Sequence, residues 1–441
     1  MRITDLIEKK KHGGNLTEEE IRFFVNGYVK GEIPDYQISA LLMAIWFAGM
    51  TQDETVSLTM AMKNSGEVLD LSSLGQTIDK HSTGGIGDKL SLIVLPVWRA
   101  GGLTIAKMSG RGLGFTGGTI DKLESVPGYE AAMDGKAFLE HVRRYGIAVT
   151  GQSEKLVPAD KKMYALRDIT GTVDSLPLIA ASVMSKKLAT AAENIVLDVK
   201  YGEGSFMKTR EDAKKLAEMM IYLGQSDGRH MAALLSPMEH PLGYAVGNAL
   251  EVKEAYDFLS GRGSGFLKED AYALAGVGFV LAGKVKTPAE GRVLCEKLIA
   301  GGAAKDAFFA WLRAQGGRFD EERFEEVLAY PGGSLEIAAE NSGWITDIQA
   351  MEIGLAGMEL GAGRKKLGDP IDPAAGVLLK KAVGDPVEKG EVLAVLYGNT
   401  GFDAAGERVK NAIHIGGEKD VPAKEGIEIF TGEKWEIFKA E

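Results

Sequence analysis

Ten of the forty residues between positions 80 and 119 are glycine, and this cluster constrains the fold more than any other feature of the sequence. The chain as a whole has 57 glycines in 441 residues, already above a typical usage of about 7%. Glycine permits backbone conformations and close approaches that a Cβ would prevent. The cluster therefore predicts backbone that is folded tightly around a small ligand.

The first glycine segment reads DKHSTGGIGDK at residues 79–89 and leads directly into a helix-like run, residues 90–100. A short loop that opens into a helix directs unpaired N–H groups and a positive dipole end at one point, which is typical of an oxyanion site. Lys80 can add a full charge, and Ser82 and Ser91 can donate hydroxyl hydrogen bonds. The segment lacks the ending of a Walker A loop. An ordinary strand-to-helix turn stays open as the alternative.

The second glycine segment, KMSGRGLGFTGGTIDK at residues 107–122, follows a predicted strand and offers Lys107, Ser109 and Thr119. Residues 112–117 satisfy the G-x-G-x-x-G pattern of dinucleotide sites. Pro127 comes too soon for the usual crossover helix, and no acidic residue ends a clear second strand. Two hydroxyl-rich loops that converge on one small anion are the better interpretation, with a dinucleotide site as the alternative.

A third group of residues suits a planar heterocycle. Arg167 and Lys186 can donate to ring carbonyls, and Ser182 can accept from a ring N–H. Helical spacing places Tyr164 with Arg167, and Ser182 with Lys186, on common faces. Spacing alone would equally fit solvated surface charges. Flat or apolar walls would come from Tyr164, Ile179 and Met207.

Residues 1–66 are predicted to form a helical domain, with capping boxes at Thr17/Glu20 and Thr51/Glu54. Residues 37–50 are apolar nearly all the way round, unlike a one-sided surface helix. This segment is either the centre of its own bundle or an interface with a second copy of the chain.

The rest of the chain predicts an α/β fold with an additional C-terminal unit. Residues 76–155 and 192–333 alternate short apolar strands with amphipathic helices, which indicates a mostly parallel sheet. Residues 160–191 are helix-like and are expected to complete the N-terminal helical domain. Residues 334–441 predict an α+β domain, in which residues 376–397 resemble the half-barrel of biotinyl or lipoyl carriers without the usual modified lysine. We therefore expect the C-terminal domain to have a barrel-sandwich-like fold and a structural role.

Charge and cysteine content exclude several classes of protein. The balance of 51 basic and 62 acidic side chains gives a net charge of −11, which disfavours binding to nucleic acid. Cys295 is the only cysteine, and the first residues show no secretory pattern, so a cytoplasmic protein is expected. No apolar run approaches the length of roughly 18 residues that a membrane span needs.

Four long blocks together resemble the pyrimidine-nucleoside phosphorylase and thymidine phosphorylase family. They are DKHSTGGIGDK, KMSGRGLGFTGGTIDKLESVPG, YALRDITGTVDSLPLIAASVMSKKLA and LDVKYGEGSFMK. The resemblance implies a small helical lobe that closes on a larger α/β lobe. It also implies cleavage of a pyrimidine nucleoside by inorganic phosphate, giving the free base and an α-pentose 1-phosphate, with no organic cofactor. A homodimer formed through the N-terminal helical domain is expected from the apolar residues 37–50.

The resemblance also implies roles for individual residues. The catalytic residues would be His81, Arg167 and Lys186, with His81 either delivering a proton to the base or orienting it. The phosphate-binding residues would be Lys80, His81, Ser82, Ser91, Lys107, Met108, Ser109 and Thr119. The base-binding residues would be Tyr164, Arg167, Ile179, Ser182, Lys186 and Met207.

Some members of the family bind potassium near the phosphate loop. The matching positions here are Gly87, Leu242, Ala245 and Glu254, but Lys89 stands where those members carry threonine. Either a potassium ion binds at these residues, or the Lys89 ammonium takes its place and pairs with Glu254.

Four functional interpretations remain at the level of sequence. The enzyme accepts uridine, deoxyuridine and thymidine, or it is restricted to thymidine and deoxyuridine. A phosphoribosyltransferase shares the same two-lobed architecture and would need magnesium held by carboxylates. A nucleoside-binding protein without turnover would be expected to lack the anion-loop residues, yet Lys80, Ser82, Ser109 and Thr119 are present.

Overall fold

Four helices at the start of the chain pack into a small bundle. The computed structural model describes residues 1–112, 117–153, 155–263, 265–328, 332–366, 368–419, 426–432 and 434–438. The bundle core includes Leu6, Phe24, Leu41 and Leu58, all buried. Its helices are α1 (Ile3–Lys11), α2 (Glu18–Val29), α3 (Asp35–Ala48) and α4 (Gln52–Lys63).

Both predicted capping boxes are confirmed. Thr17 Oγ1 accepts a hydrogen bond from Glu20 N at 3.2 Å, while Thr17 N donates to Glu20 Oε2 at 2.7 Å. Thr51 and Glu54 make the same reciprocal pair at 3.2 and 2.8 Å. These bonds satisfy N–H groups that the first helical turn leaves without a partner, and so they fix where α2 and α4 begin.

Helix α3 is apolar on both of its faces, but the bundle covers only one of them. Ile38, Leu42 and Ile45 are buried, whereas Tyr36 and Phe47 are 74% and 77% exposed. The helix is therefore partly a core element and partly an apolar surface.

The middle of the chain alternates strands with helices. Short 3₁₀ and π segments occupy Ser72–Leu74 and Phe258–Arg262. The regular elements are β1 (Thr77–Ser82), α5 (Leu90–Ala100), β2 (Thr104–Met108), α6 (Thr119–Leu123), α7 (Gly135–Tyr145), β3 (Ile147–Thr150), α8 (Pro158–Thr170), α9 (Leu176–Ala189), β4 (Asn194–Tyr201), α10 (Arg210–Ser226), β5 (His230–Pro237), β6 (Ala245–Gly247), α11 (Asn248–Asp257), α12 (Gly265–Leu281), α13 (Pro288–Ala300), α14 (Ala303–Ala314) and α15 (Phe324–Val327).

The remaining elements mix strands with two helices. They are β7 (Gly333–Ala338), β8 (Gly343–Ile348), α16 (Ala350–Leu360), β9 (Gly376–Leu379), β10 (Pro386–Val387), β11 (Val392–Gly398), α17 (Phe402–Ala412), β12 (Ile413–Gly416), β13 (Glu428–Phe430) and β14 (Trp435–Ile437).

A mostly parallel sheet forms the centre of the large lobe, as predicted. Its strand order is β14-β13-β5-β4-β1-β2-β3, with β5, β4, β1, β2 and β3 parallel. Strands β13 and β14 are antiparallel additions at one edge. Because β1, β2 and β4 are adjacent and parallel, the loops that follow them meet at one end of the sheet.

Helices α8 and α9 pack against the N-terminal bundle, although β3 and β4 of the sheet flank them in sequence. Met163, Leu166 and Leu178 share one buried cluster with Phe24 and Ile38. On its other side, α9 contributes to a cluster with β4 and α10. The small lobe is therefore built from two separate stretches of the chain.

The segments that cross between the lobes lie side by side. Glu67 N donates to Lys155 O at 2.8 Å, and Leu69 N donates to Ala189 O at 2.9 Å. A Cβ on Gly66 would lie only 2.1 Å from Lys155 O, so the first crossing requires glycine there. All three crossings are thus joined in one narrow region.

The C-terminal unit contains two small sheets, ordered β10-β8-β12 and β6-β9-β11-β7, with α16 and α17 packed on them. Strand β6 comes from the large lobe, so the two units share a sheet. The sequence placed residues 334–441 together, yet β13 and β14 lie in the seven-stranded sheet. Within the described ranges, no helix is both long and apolar enough to cross a membrane.

Candidate active site

The first glycine segment links β1 to α5 at the carboxyl end of the sheet. Lys80 is fully buried near the end of β1, and Ser91 lies in the first turn of α5. Gly84 and Gly87 have φ values of +86° and +73°, a region that favours glycine. A Cβ on Gly87 would also lie 2.9 Å from Leu242 O. The loop geometry is therefore specific to glycine at these positions.

The second glycine segment starts where β2 ends and finishes at the N-terminus of α6. Lys107 and Met108 are buried at the end of β2, and Ser109 N donates to Thr150 O at 2.9 Å. Thr119 is the first residue of α6. Because β1 and β2 are adjacent and parallel, the two glycine segments follow their strands at the same end of the sheet. Residues 113–116 of the G-x-G-x-x-G pattern lie outside the described residues.

Carboxylates surround the lysine and serine of the first loop. Lys80 Nζ lies 2.7 Å from Asp198 Oδ2 and 3.8 Å from Asp88 Oδ2. Ser82 Oγ donates to the Asp88 carboxylate. Burial acts to raise the pKa of Asp88, but the ammonium groups of Lys80 and Lys200 outweigh it and hold that pKa below its ordinary value. Asp88 is therefore ionised; it accepts the Ser82 hydroxyl and lies within ion-pair distance of Lys80.

A second set of buried charges lies next to the end of β2 and consists of Asp79, Lys107 and Lys187. Lys187, from α9, donates to Asp79 Oδ2 at 2.8 Å and to Met108 O at 2.6 Å. Lys107 Nζ donates to Lys80 O and lies 3.8 Å from Asp79 Oδ1. Burial and the Lys187 ammonium hold the pKa of Lys107 well below its usual range, against the opposing effect of Asp79. A bound anion beside Lys107 would favour its charged form.

His81 lies between these lysines at the end of β1. Burial, together with the ammonium groups of Lys187 and Lys107, holds the pKa of His81 well below its ordinary value. Its Nε2 is buried and makes no hydrogen bond to any residue that the structure describes. This lowered pKa favours the neutral imidazole, and Nε2 is a buried polar atom that lacks a partner among the described residues.

The third predicted group lies on α8 and α9. Lys186 Nζ donates to Ser182 Oγ at 3.1 Å, the contact expected from helical spacing, and it also donates to the Asp160 carboxylate. Tyr164 is 39% exposed, and Ile179 and Met207 are partly buried beside the α9 and α10 cluster. These side chains are only partly shielded from solvent, and the Lys186–Asp160 ion pair among them is partly buried.

Arg167, predicted to donate to ring carbonyls, binds three backbone carbonyls in this structure. Its Nε donates to Thr172 O at 3.1 Å, its Nη1 to Leu178 O at 3.0 Å and its Nη2 to Val173 O at 2.6 Å. The guanidinium is buried and ties the connection between α8 and α9 to the end of α8. Its positive charge remains close to Asp160 and Tyr164.

The residues at the predicted potassium position surround a lysine ammonium. Lys89 Nζ donates to Leu242 O at 2.5 Å and to Ala245 O at 3.1 Å, and lies 2.8 Å from Glu254 Oε2. The Lys89 side chain is fully buried. In the part of the chain that the structure describes, no three His, Cys, Asp or Glu residues form a metal-binding group.

Sequence reasoning missed the buried counter-ions. Asp198 and Lys200 both lie in β4, a strand that is buried along its whole length. Lys200 Nζ donates to Ser236 Oγ at 2.6 Å and to Asp270 Oδ2 at 3.0 Å, and lies 2.9 Å from Asp198 Oδ1. The available signal was two charged residues in an otherwise apolar strand, because buried charges are normally paired. Asp79, Asp160 and Lys187 belong to the same class.

Comparison with known families matches most of the chain in three parts. Residues 4–66 match the family described as "Glycosyl transferase family, helical bundle domain". Residues 74–305 match "Glycosyl transferase family, a/b domain". Residues 344–416 match "Pyrimidine nucleoside phosphorylase C-terminal domain".

Relatives of nearly full length agree with these matches. The proteins called "Pyrimidine-nucleoside phosphorylase" in Staphylococcus aureus strains MSSA476 and USA300 are 50% identical to this chain over 400 residues, covering 90% of it and 92% of each relative. The crystal structure of anthranilate phosphoribosyltransferase (TrpD) from Thermus thermophilus superposes with a TM-score of 0.58 at 21% identity, covering 70% of this chain and 99% of that one. At this identity the second likeness shows the fold alone.

Proposed function

Because the chain belongs to the pyrimidine-nucleoside phosphorylase family, we propose that its two glycine loops hold the inorganic phosphate that cleaves its nucleoside substrate. The enzyme is a pentosyltransferase. In the reaction, the bond between the base nitrogen and C1′ breaks, and a phosphate oxygen forms the new bond to C1′. The products are the free pyrimidine base and an α-pentose 1-phosphate.

The observation that best supports the phosphate site is the convergence of the two loops at one end of the sheet. Adjacent parallel strands β1 and β2 bring their following loops together, and α5 and α6 begin at those loops. Helix N-termini and lysines suit an oxyanion. The proposed phosphate-binding residues are Lys80, His81, Ser82, Ser91, Lys107, Met108, Ser109 and Thr119.

Phosphate binding at this place requires an exchange of partners. Lys80 is paired with Asp198, and Ser82 donates to Asp88. A phosphate dianion would compete with these carboxylates for the same donors. The carboxylates already hold the side chains of Lys80 and Ser82 in place. The conformational entropy of these two side chains is therefore lost before the anion binds, and binding does not have to order them.

We assign the pyrimidine ring to the surface formed by α8 and α9. Lys186 and Ser182 are the proposed hydrogen-bonding partners of the ring, and Tyr164, Ile179 and Met207 form its walls. Arg167 contributes positive charge and holds the connection between the two helices. As the glycosidic bond breaks, negative charge develops on the base, and Lys186 and Arg167 stabilise it.

The sugar becomes oxocarbenium-like as the base departs, and the phosphate on the other side stabilises this cation as well as attacking it. No general-acid carboxylate is needed for that step, in contrast to glycoside hydrolysis. Before phosphate binds, burial and the neighbouring lysine ammonium groups hold the pKa of His81 well below its ordinary value, so the ring starts without the proton that an imidazolium would deliver. We therefore favour an orienting hydrogen bond from His81 over proton delivery.

The proposed substrates are uridine, deoxyuridine and thymidine, in keeping with the unrestricted name of the relatives. The test is a phosphorolysis panel of uridine, deoxyuridine, thymidine and cytidine, with release of base measured with and without phosphate. Base release from the first three, only when phosphate is present, is expected. Release that does not depend on phosphate would exclude phosphorolysis, and activity limited to thymidine and deoxyuridine would support the restricted alternative.

The proposed cofactor requirement is inorganic phosphate as co-substrate without potassium. The carbonyls of Leu242 and Ala245 and the carboxylate of Glu254 already bind the Lys89 ammonium. A second cation at the same three oxygens would be repelled by that charge at hydrogen-bonding distance. These residues therefore do not fit a potassium ion in addition to the Lys89 ammonium.

We propose that the enzyme is a homodimer that uses the exposed face of α3. Tyr36 and Phe47 are 74% and 77% exposed, and Trp46 is partly exposed beside them. A large apolar patch on a helical surface is typical of a protein interface. Light scattering should give twice the mass of the chain, and Phe47→Glu should lower it; a wild-type monomer would contradict this assignment.

A further inference from the structure

Helix α6 is only five residues long, but its side chains make contacts with three separate parts of the molecule. Thr119, at its start, belongs to the proposed phosphate site. The next residues on its buried side are Asp121 and Lys122, which are 5% and 2% exposed. Their charges must be satisfied by specific partners, because isolated buried charges are strongly unfavourable.

Lys122 connects α6 to the first glycine loop. Its Nζ donates to Asp88 O at 2.6 Å and lies 2.6 Å from Glu251 Oε2 on α11. Asp88 in turn accepts the hydroxyl of Ser82. The two glycine loops are therefore linked to each other through this lysine.

Asp121 connects α6 to the beginning of its own loop. Asp121 Oδ2 accepts a hydrogen bond from Gly112 N at 2.6 Å, and Arg111 Nη1 lies 3.2 Å from Asp121 Oδ1. The backbone is also close at this point, since a Cβ on Gly118 would lie 2.1 Å from Gly112 N. The two ends of the segment between Ser109 and Thr119 are thus joined at Gly112, Gly118 and Asp121.

An arginine from the C-terminal unit completes this junction. Arg364 Nη2 donates to Asp121 Oδ1 at 2.8 Å and Arg364 Nη1 to Asp121 Oδ2 at 3.1 Å, a bidentate pair. Arg364 Nη1 also donates to Gly112 O at 2.9 Å. The arginine side chain is 13% exposed and the carboxylate 2%. A planar guanidinium with two parallel hydrogen bonds fixes orientation as well as distance.

We propose that Arg364 is a positioning residue for phosphate: by holding Asp121 and Gly112 from the C-terminal unit, it fixes the positions of Thr119 and of the backbone that follows Ser109. Arg364 acts indirectly, through α6, whose first residue is Thr119, and through the backbone that follows Ser109. The inference rests on the placement of phosphate at these two residues.

The test compares steady-state kinetics of Arg364→Ala with the wild type. We expect the KM for phosphate to rise about tenfold, an effect typical of residues that orient a ligand-binding group without contacting the ligand themselves. The KM for the nucleoside should stay within about twofold, because the base surface lies on α8 and α9. Arg364→Lys should recover part of the loss, since it keeps the charge without the bidentate geometry.

Two further variants separate this effect from general damage to the unit. Arg408→Ala removes a salt bridge of 2.6 Å between Arg408 and Glu352 in the same C-terminal unit. This variant should leave the KM for phosphate and the KM for the nucleoside unchanged. Asp121→Asn conserves shape and should raise the phosphate KM in the same direction as Arg364→Ala. It provides the measurement if Arg364→Ala does not fold.

Lys80→Ala distinguishes failure of this inference from failure of the phosphate site. If Lys80→Ala raises the phosphate KM while Arg364→Ala and Asp121→Asn leave it within about twofold of the wild type, the phosphate site stands and the positioning role is wrong. If Lys80→Ala also has the wild-type KM for phosphate, the site assignment is wrong, and the inference fails with it.

Discussion

Lys89 decides whether the position beside the first glycine loop holds a cation from solution or one from the chain. Its ammonium already binds Leu242 O, Ala245 O and the Glu254 carboxylate. We predict that activity is unchanged within about twofold when potassium is exchanged for sodium or choline, because the charge is built in. Lys89→Thr should make activity depend on potassium. A wild-type enzyme that loses activity in sodium or choline would contradict the assignment.

Arg167 is expected to support the fold as well as the reaction. Its three donor groups bind the carbonyls of Thr172, Val173 and Leu178. We predict that Arg167→Ala lowers the free energy of unfolding by at least about 2 kcal/mol, because these bonds involve a charged donor and the carbonyls are left without partners. Its kcat should fall at the same time.

Urea unfolding and steady-state kinetics measure these two effects for Arg167→Ala. The matched control is Arg22→Ala, which removes an exposed ion pair with Glu18 on α2 and should change unfolding by less than about 1 kcal/mol. If Arg167→Ala has the same free energy of unfolding as the wild type, the contacts of Arg167 with the carbonyls contribute little to stability.

His81 should remain neutral well below the pH at which a free histidine takes up a proton. Its pKa is held low in the folded protein by burial and by the surrounding lysines. The unfolded chain, in contrast, binds a proton below about pH 6.5. The contribution of neutral His81 to the free energy of unfolding is therefore fully present above about pH 6.5. It is lost as the pH falls below that value, because the unfolded state then binds more protons than the folded state.

NMR of the enzyme labelled on its histidine rings tests this prediction. The signal assigned with a His81→Asn variant should keep the shifts of a neutral ring from pH 8 to about pH 6. A titration midpoint at the free-histidine value, about 6.5, would contradict the burial argument.

At the scale of single elements, the N-terminal capping boxes have a predictable energetic effect. Thr51 Oγ1 accepts from Glu54 N, and Glu54 accepts from Thr51 N. We predict that Thr51→Ala lowers the free energy of unfolding by about 1 kcal/mol, as for other capping residues. Urea denaturation measures it, with Gln52→Ala at the adjacent exposed position as the control. Equal effects of the two substitutions would rule out a specific contribution from the cap.

The elements that the sequence predicted well are those determined by local rules. The caps of α2 and α4, the glycine loops after β1 and β2, and the Ser182–Lys186 contact on α9 all follow from residues a few positions apart. Local hydrogen bonding and helical periodicity are sufficient for such features.

The parts that the sequence did not predict depend on distant partners. Strand β13 pairs with β5, although position 428 lies 191 residues after position 237. Asp198 and Lys200 look like ordinary strand residues until Lys80, Ser236 and Asp270 are placed around them. Arg167 gives no sign in the sequence that its donors bind backbone carbonyls. Such pairings depend on tertiary packing that no local pattern encodes.

At the scale of the whole molecule, we predict that substrate binding closes the two lobes. The proposed phosphate loops belong to the sheet, whereas the proposed base surface lies on α8 and α9, which pack on the helical bundle. A phosphate oxygen has to come within bonding distance of C1′ in the reaction, so we expect these two surfaces to approach each other. The narrow region where Glu67, Leu69, Lys155 and Ala189 are hydrogen-bonded is the expected hinge.

Small-angle scattering measures the closure. With nucleoside and sulfate, a non-reactive mimic of phosphate, the radius of gyration should be smaller than that of the free enzyme. Sulfate alone serves as the control, because it occupies only one of the two surfaces. An identical radius with both ligands would contradict a closing motion.

The pairing of β13 and β14 with the edge of β5 has a consequence for biosynthesis. While a ribosome is still translating the long stretch between β5 and β13, residues 233–235 on the edge of β5 have not yet received the partner strand with which they pair. Exposed strand edges can pair with other nascent chains. We infer that this edge needs chaperone protection during synthesis, and that shortening the protein before position 428 would promote aggregation before any loss of turnover became measurable.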